Sequence, residues 1–462
     1  MKRCRLFLCT FATFSFALIQ ATTAAPLPNM VFINADDLTH TDLSVYGGQA
    51  HTPNLERLAT EGMQFSHCFQ AAPMCSPTRH NLYTGIYPVK SGAYPNHTFA
   101  NDGTKSIVHH LKPLGYRVAL SGKNHVSPKE VFPFEYSSLK NNPDMEAVEA
   151  LMTESKAAGT PFCLFACSNE PHTPWNLGDP SRYPADEIEL PPYFVDTKET
   201  REGMSKYLAE ITYYDDQIGQ ILDLLDKHGL TENTLVMVSS EQGSSMPFAK
   251  WTNYDPGLQT ALIARWPGKI AAGAKTDAMV EYVDVVPTLI DAAGTEPVGE
   301  LDGLSFLPVL LGEATEHKSH VYGIMTTRGI NNGSEAYGIR SVRSKTHQLI
   351  VNLNHEEKFM NACAKSPEFL SWVKRAESGK KRAAQLVNHY HHRPAIELYE
   401  VGNGWHNWEN LADSEEHTAI QAALQSKLDA WMKDQGDLGA ATEMAALEHQ
   451  GKSRKKKKTK KP

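Results

Sequence analysis

Four largely apolar runs, each closed by ionic or amide residues, constrain the fold more than anything else in the chain. Met30-Val31-Phe32-Ile33-Asn34-Ala35 is followed by Asp36-Asp37, and Arg117 to Ser121 by Gly122-Lys123-Asn124-His125. Pro161 to Ser168 leads into Asn169-Glu170-Pro171-His172, and Thr234 to Ser239 into Glu241-Gln242. Short continuous apolar runs read as buried parallel strands rather than strands with one wet face. Helical spacing lies between them. It covers Leu55 to Gly62 after Thr52-Pro53-Asn54, Lys105 to Leu114, and a stripe through Met204, Leu208, Ile211, Ile218, Leu222 and Leu225. This alternation, up to about residue 295, predicts an α/β fold: a doubly wound, mostly parallel sheet with helices on both faces. Ligands of such sheets gather beyond the carboxyl ends of the strands, so the polar endings are where chemistry is expected.

The second part of the chain reads differently. Asp302-Gly303-Leu304-Ser305 and Leu310-Leu311-Gly312 mark a loop-rich boundary. Tyr337 to Val342 and His347 to Leu353 are strand-like, one long helix is expected around Pro367 to Val387, and 415–447 read as helical. The expected division is a catalytic domain over 26–313, then a smaller C-terminal domain over 314–447 with an antiparallel sheet and helix.

Lys2, Arg3 and Arg5, then Leu6 to Ile19, then Thr23-Ala24-Ala25 form the charged, apolar and small-residue parts of a secretory signal over residues 1–25. The apolar run is short for a membrane span, and no later run is longer, so stable membrane insertion is not expected; an uncleaved anchor is the alternative. Secretion or periplasmic export follows, with a lysosomal destination open to a eukaryotic chain. Formal charge is −8, yet Lys452 to Pro462 hold eight Lys or Arg, so the body is acidic and residues 448–462 read as a disordered basic tail. Nothing points to nucleic-acid recognition. Past the signal, Cys68, Cys75, Cys163, Cys167 and Cys363 are odd in number and not spaced as a disulfide framework.

Cys75-Ser76-Pro77-Thr78-Arg79 leads into a further helical stretch. Pro77 suits a first helical turn, and Arg79 falls one turn beyond Cys75 on the same side. A cysteine at a helix N-terminus beside a guanidinium reads as a nucleophile in an anion pocket; a structural cysteine is the plainer reading. Asp36-Asp37 is a plausible half-site for a hard cation, or a cap or turn. Lys123 and His125 alternate by two and face the same way if extended. His172 stands between Pro171 and Pro174, in a loop stiff enough to hold an imidazole.

From Cys75 to Thr84-Gly85 the string resembles the sulfatase signature, in which that cysteine is oxidised to formylglycine. Gly115-Tyr116 through Gly122-Lys123 and His125 resembles the second signature, and the likeness runs from about residue 29 to 412. Tyr83 and Val118 depart mildly from the pattern. The resemblance implies an alkaline-phosphatase-like fold and one Ca²⁺ held by Asp36, Asp37, residue 75, Glu241 and Gln242. Glu241-Gln242 depart from the usual Asp then Asn or His, each one methylene longer. It further implies that Arg79, Lys123 and Lys250 bind sulfate, that His125 and His172 move protons, and that a formylglycine-generating enzyme acts in maturation.

Several strings, among them Val131-Phe132-Pro133-Phe134 and Ile339-Arg340-Ser341-Val342-Arg343, resemble heparan N-sulfatase-like members, which implies a sulfated saccharide substrate. Trp175, Trp251, Trp405 and His406 are candidate sugar contacts. Two alternatives stay open: a phosphonate or phosphodiester hydrolase with the same site, and an inactive calcium-dependent polysaccharide-binding protein. Asn96-His97-Thr98 and Asn332-Gly333-Ser334 fit the glycan acceptor pattern, relevant only in a eukaryotic secretory route.

Overall fold

A computed structural model describes residues 26–402 and 409–451. The N-terminal segment, the basic residues from 452 onward, Trp405 and His406 lie outside the described residues.

The first sheet contains β1 (Asn29–Asn34), β2 (Met63–Phe69), β3 (Arg117–Gly122), β4 (Glu135–Tyr136), β5 (Phe162–Cys167), β6 (Thr234–Ser239), β7 (Gln259–Arg265), β8 (Ala274–Thr276) and β9 (Val280–Glu281). Its order is β4-β3-β5-β1-β6-β7-β2-β8, with β9 also on β2. β3, β5, β1 and β6 are parallel neighbours. β7 runs antiparallel to both β6 and β2, so β2 points the same way as β1. β4 is parallel to β3, and β8 and β9 to β2, so all of these strands but β7 present their carboxyl ends to one edge, as the sequence pattern predicted.

Burial follows the two-residue period of a strand. Met30 and Phe32 of β1 join Leu82, Ile107 and Leu289 on one face. Val31 and Ile33 meet Leu55, Leu58, Val148 and Ile211 on the other. The helices that supply those residues are α1 (Pro53–Glu61), α2 (Cys75–Thr84), α3 (Ile107–Leu111), α4 (Met145–Ala158), the long α5 (Lys198–Lys227) and, for Leu289, the later helix Val285–Ala292. Thr197 caps α5 by accepting from the Thr200 N–H.

A four-stranded antiparallel sheet follows, in the order β10 (Val321–Thr326), β11 (Gly338–Arg343), β12 (His347–Asn352) and β13 (Ile396–Glu400). The single helix expected over Pro367 to Val387 is instead two, Pro367–Glu377 and Lys381–His391. Gly379 breaks it with φ 84°, a conformation glycine adopts without steric cost. Gly436, φ 69°, likewise ends the helix Thr418–Gln435 before the short helix Ala440–Ala445.

The last described residues return to the first sheet's side of the molecule. Gln450 bridges to Thr98, and the Gly451 N–H donates to the His97 carbonyl at 2.9 Å. All five described cysteines are buried free thiols, as expected for Cys163 and Cys167 in an apolar strand. Among the described residues no helix is long and apolar enough to cross a membrane.

Candidate active site

The edge formed by the parallel strands gathers every candidate catalytic and metal-binding residue read from the sequence. β1 ends at Asp36 and Asp37, both buried, and Asp37 takes φ 62°. β2 leads to Cys75, the first residue of α2, and all ten residues of that helix are buried. Two glycines let the chain approach this closely. A Cβ on Gly122 would stand 2.1 Å from the Cys167 carbonyl oxygen, and one on Gly243 would stand 1.6 Å from the Pro256 carbonyl oxygen. These glycines adjoin Lys123 and Gln242.

Asp36 and Asp37 form the floor. Cys75 Sγ lies 3.4 Å from Asp36 Oδ1 and 3.9 Å from Asp37 Oδ1. Lys250 Nζ is 2.6 and 2.9 Å from the two Asp37 oxygens and 3.2 Å from Cys75 Sγ. Lys123 pairs with Asp36 Oδ2, which Arg79 reaches at 3.3 Å. A second Arg79 nitrogen donates to the Lys123 carbonyl at 2.9 Å. Burial alone pushes the Asp36 carboxyl up, but Lys123 and then Arg79 outweigh it and hold the group well below the usual carboxylate range. Burial opposes the charge on Lys250, and Asp37 more than restores it. Burial and the Asp36 charge push the Cys75 thiol up to about 12, so an unmodified thiol here is a poor source of thiolate.

Glu241 and Gln242 part company. Glu241 turns to Arg79, its Oε1 2.8 Å from the guanidinium Nε, and burial followed by the opposing pull of Arg79 leaves its carboxyl well above the ordinary range. Gln242 faces the floor: its Nε2 donates to Asp37 Oδ1 at 2.5 Å and lies 3.3 Å from both Asp36 Oδ1 and Cys75 Sγ. Gln242 Oε1 is buried without a hydrogen-bond partner. His172 Nδ1 is 2.7 Å from the Thr173 carbonyl, which leaves Nε2 for the site, 3.6 Å from Asp37 Oδ2. Asp36, Asp37, Cys75 and His172 place ligand atoms within 4.8 Å of one another.

Above this floor opens a cavity of about 720 Å³. Its walls include Lys123, His125, His172, Trp175, Lys206, Trp251 and Asn331. Trp175 and Trp251 thus lie where sugar contacts were expected, and Trp251 packs its ring 5.0 Å from Lys250 Nζ. Asn96, a glycan acceptor by pattern, is only 7% exposed and lines the same cavity, so the fold leaves no room for a glycan there. His97 is a wall residue that sequence reading did not single out. An exposed loop histidine carries no local signal; only the fold brings its ring to 2.9 Å from His125.

A family model described as sulfatase matches residues 28–295, and a second, N-sulphoglucosamine sulphohydrolase C-terminal, matches residues 243–369. An ulvan-active sulfatase of Formosa agariphila is 33% identical over 431 residues, 91% of this chain and 83% of the relative. The chain belongs to the sulfatase family. This sulfatase is accordingly a sulfuric ester hydrolase by family. It is also 25% identical to human N-sulphoglucosamine sulphohydrolase over 461 residues, 88% of this chain and 90% of that one. A solved structure in complex with its substrate, D-glucosamine-2-N,6-O-disulfate, covers 89% of this sulfatase and 99% of itself, with a TM-score of 0.67 and 19% identity, and so supports the fold alone.

Proposed function

We propose that this chain is an exported sulfatase that removes sulfate from a sulfated saccharide, using formylglycine at position 75 and one bound calcium ion. The observation that carries the proposal is the position of Cys75 Sγ: it is within 3.9 Å of two carboxylates and 3.2 Å from Lys250, at the base of a cavity with two tryptophans in its wall. Saccharide substrates are supported by the names of the two relatives and by the cavity's mixture of aromatic and polar groups. Export is supported by the charged, apolar and small-residue pattern of residues 1–25.

The donor set fits a hard cation. Asp36, Asp37 and Gln242 present oxygen, and calcium takes oxygen ligands. Rotating the Gln242 amide by half a turn exchanges its nitrogen for the now partnerless Oε1, the atom a cation needs. Bound there, calcium supplies positive charge against an incoming sulfuryl group. Glu241 stands behind the ligands, oriented to Arg79.

Formylglycine supplies a hydrated aldehyde: one hydroxyl attacks sulfur, and the other, on losing its proton, lets the carbonyl re-form and release sulfate. A formylglycine-generating enzyme is the maturation partner this requires. The chain's own residues do the rest. Lys250, Lys123 and Arg79 offset the negative charge that a nucleophile must approach, an electrostatic role in a site sheltered from water. His172, with Nδ1 turned to the Thr173 carbonyl, offers Nε2 to protonate the leaving oxygen or nitrogen. His125 takes the proton from the residue-75 side.

A desulfation screen on defined sulfated mono- and disaccharides and on ulvan, run beside phosphate and phosphonate esters, tests this. Release of sulfate from saccharides is expected. Preference for the phosphorus esters, or no release from any sulfated sugar by protein carrying the aldehyde, would overturn it.

A further inference from the structure

We infer that His97 is a positioning residue that holds His125 in the tautomer with its proton on Nε2, leaving Nδ1 as the base, and that it takes up the displaced proton. The inference deepens the sulfatase reading above and rests on it for the identity of the proton donor.

The geometry is built rather than incidental. His125 Nε2 and His97 Nδ1 are 2.9 Å apart, so one proton is shared between the two rings. Both residues hold left-handed backbone conformations, φ 43° for His125 and 56° for His97, which non-glycine residues adopt at a cost. Ser76, directly after the nucleophile, ties the two loops together. Its hydroxyl donates to the His125 carbonyl at 3.1 Å and accepts the Thr98 N–H at 3.3 Å. The far side of the His97 loop is held by the chain's end, through the Gly451 N–H to the His97 carbonyl at 2.9 Å and Gln450 Nε2 to the Asn96 carbonyl at 3.0 Å.

The direction of the shared proton follows from the other ring atom. His125 Nδ1 is buried with no hydrogen-bond partner. A neutral ring that donates from Nε2 leaves Nδ1 a bare acceptor; the opposite arrangement strands a buried N–H, which proteins avoid more strictly. Burial, then Lys123, keeps His125 neutral at rest; His97 and Arg79 act in the same sense and Asp36 in the opposite one. His449, stacked near Phe99 and Tyr94, is the titratable group on the chain-end side. His97 itself is exposed on the cavity wall. A proton taken at His125 Nδ1 is then balanced by the Nε2 proton moving to His97 Nδ1, so the positive charge comes to rest on the His97 ring. No electrons change hands.

The test is two-bond ¹H–¹⁵N correlation on the full chain labelled in histidine, with His97→Asn and His97→Ala beside the wild type. Asn tolerates the left-handed backbone, which protects the fold if the Ala variant fails. Expected is an Nε2–H tautomer of His125 in the wild type and a mixture in both variants. With it, kcat falls by about 10²-fold, as for loss of an acid–base partner, at unchanged KM and with partial rescue by added imidazole. A wild-type His125 protonated on Nδ1, or a folded His97→Asn variant with tautomer and kcat pH profile unmoved, would overturn the inference. A wild type that desulfates nothing sinks the sulfatase reading instead, and the tautomer spectra still decide the His97–His125 pairing.

Discussion

Lys250 is bound to Asp37 through both carboxylate oxygens, at 2.6 and 2.9 Å, while its ammonium also reaches Cys75 Sγ at 3.2 Å. One cation thus joins the carboxylate floor to the nucleophile position. Lys250→Ala removes a preorganised charge, and kcat is expected to fall by roughly 10²–10³-fold on a good saccharide substrate. Lys250→Arg restores little, because a planar guanidinium cannot take the place of a compact ammonium between two residues. Steady-state kinetics on both variants checks this.

Residue 75 itself has a mass signature. The tryptic peptide that contains it is expected to show aldehyde in place of thiol. Cys75→Ala is expected to fold, by circular dichroism, and to release no sulfate. Turnover retained in that variant would remove the mechanism.

Chelation is expected to abolish activity and calcium to restore it. A second readout is independent of turnover. Calcium at about 100 times its Kd raises stability by about 2.7 kcal/mol, visible as a higher Tm. Gln242→Ala should weaken both effects, since it deletes the amide oxygen available to the ion. Full activity and an unmoved Tm after exhaustive chelation would count against Asp36, Asp37 and Gln242 as ligands.

Acid should destabilise the fold through its buried histidines. Burial lowers His40 and His80 to about 4 from an ordinary value near 6.5. The folded state therefore favours their neutral rings. Their contribution is complete above about pH 6.5 and is lost as pH falls toward about 4, to a limit of about 3 kcal/mol each. His80 contacts the Ser76 carbonyl at 2.7 Å and accepts the Ser127 N–H at 3.2 Å, and protonation removes the second of these bonds. Urea midpoints should drop between pH 7 and 5, and less steeply in His80→Gln. Parallel slopes for the two proteins would contradict this.

Arg79 is fully buried and faces Asp36 and Glu241 at 3.3 and 2.8 Å. Arg79→Ala takes the cation from buried Glu241 and one of two from Asp36, and breaking a buried pair typically costs about 3–5 kcal/mol. Loss of both stability and activity is expected, in contrast to Lys123→Ala, whose partly exposed side chain should lose activity chiefly. Comparing urea midpoints of the two variants separates the roles.

Much of this was legible in the chain. Strand ends at Asp37, Lys123, His172 and Gln242 were readable because a buried parallel strand must be apolar throughout, so its first polar residue marks the sheet edge. Cys75 and Arg79 were readable because Pro77 marks a first helical turn, with Cys75 at its head and Arg79 one turn on. The split at Gly379 was missed because the amphipathic spacing continues on both sides of it, and one glycine does not announce whether it sits inside a helix or ends it. Glu241 was grouped with Gln242 by adjacency; which of two neighbours faces the floor depends on Arg79, a partner supplied by another element. His97 was invisible for the same reason, since its significance lies in a ring contact between loops that meet only after folding.

The signature helix, Cys75 to Thr84, has no accessible face, and the thiol at its head is 3% exposed. No second protein can grip that segment once the fold has closed over it. If residue 75 is converted as proposed, the conversion is expected before the fold closes. On the proposed chemistry, a molecule that folded first would keep its thiol and stay idle.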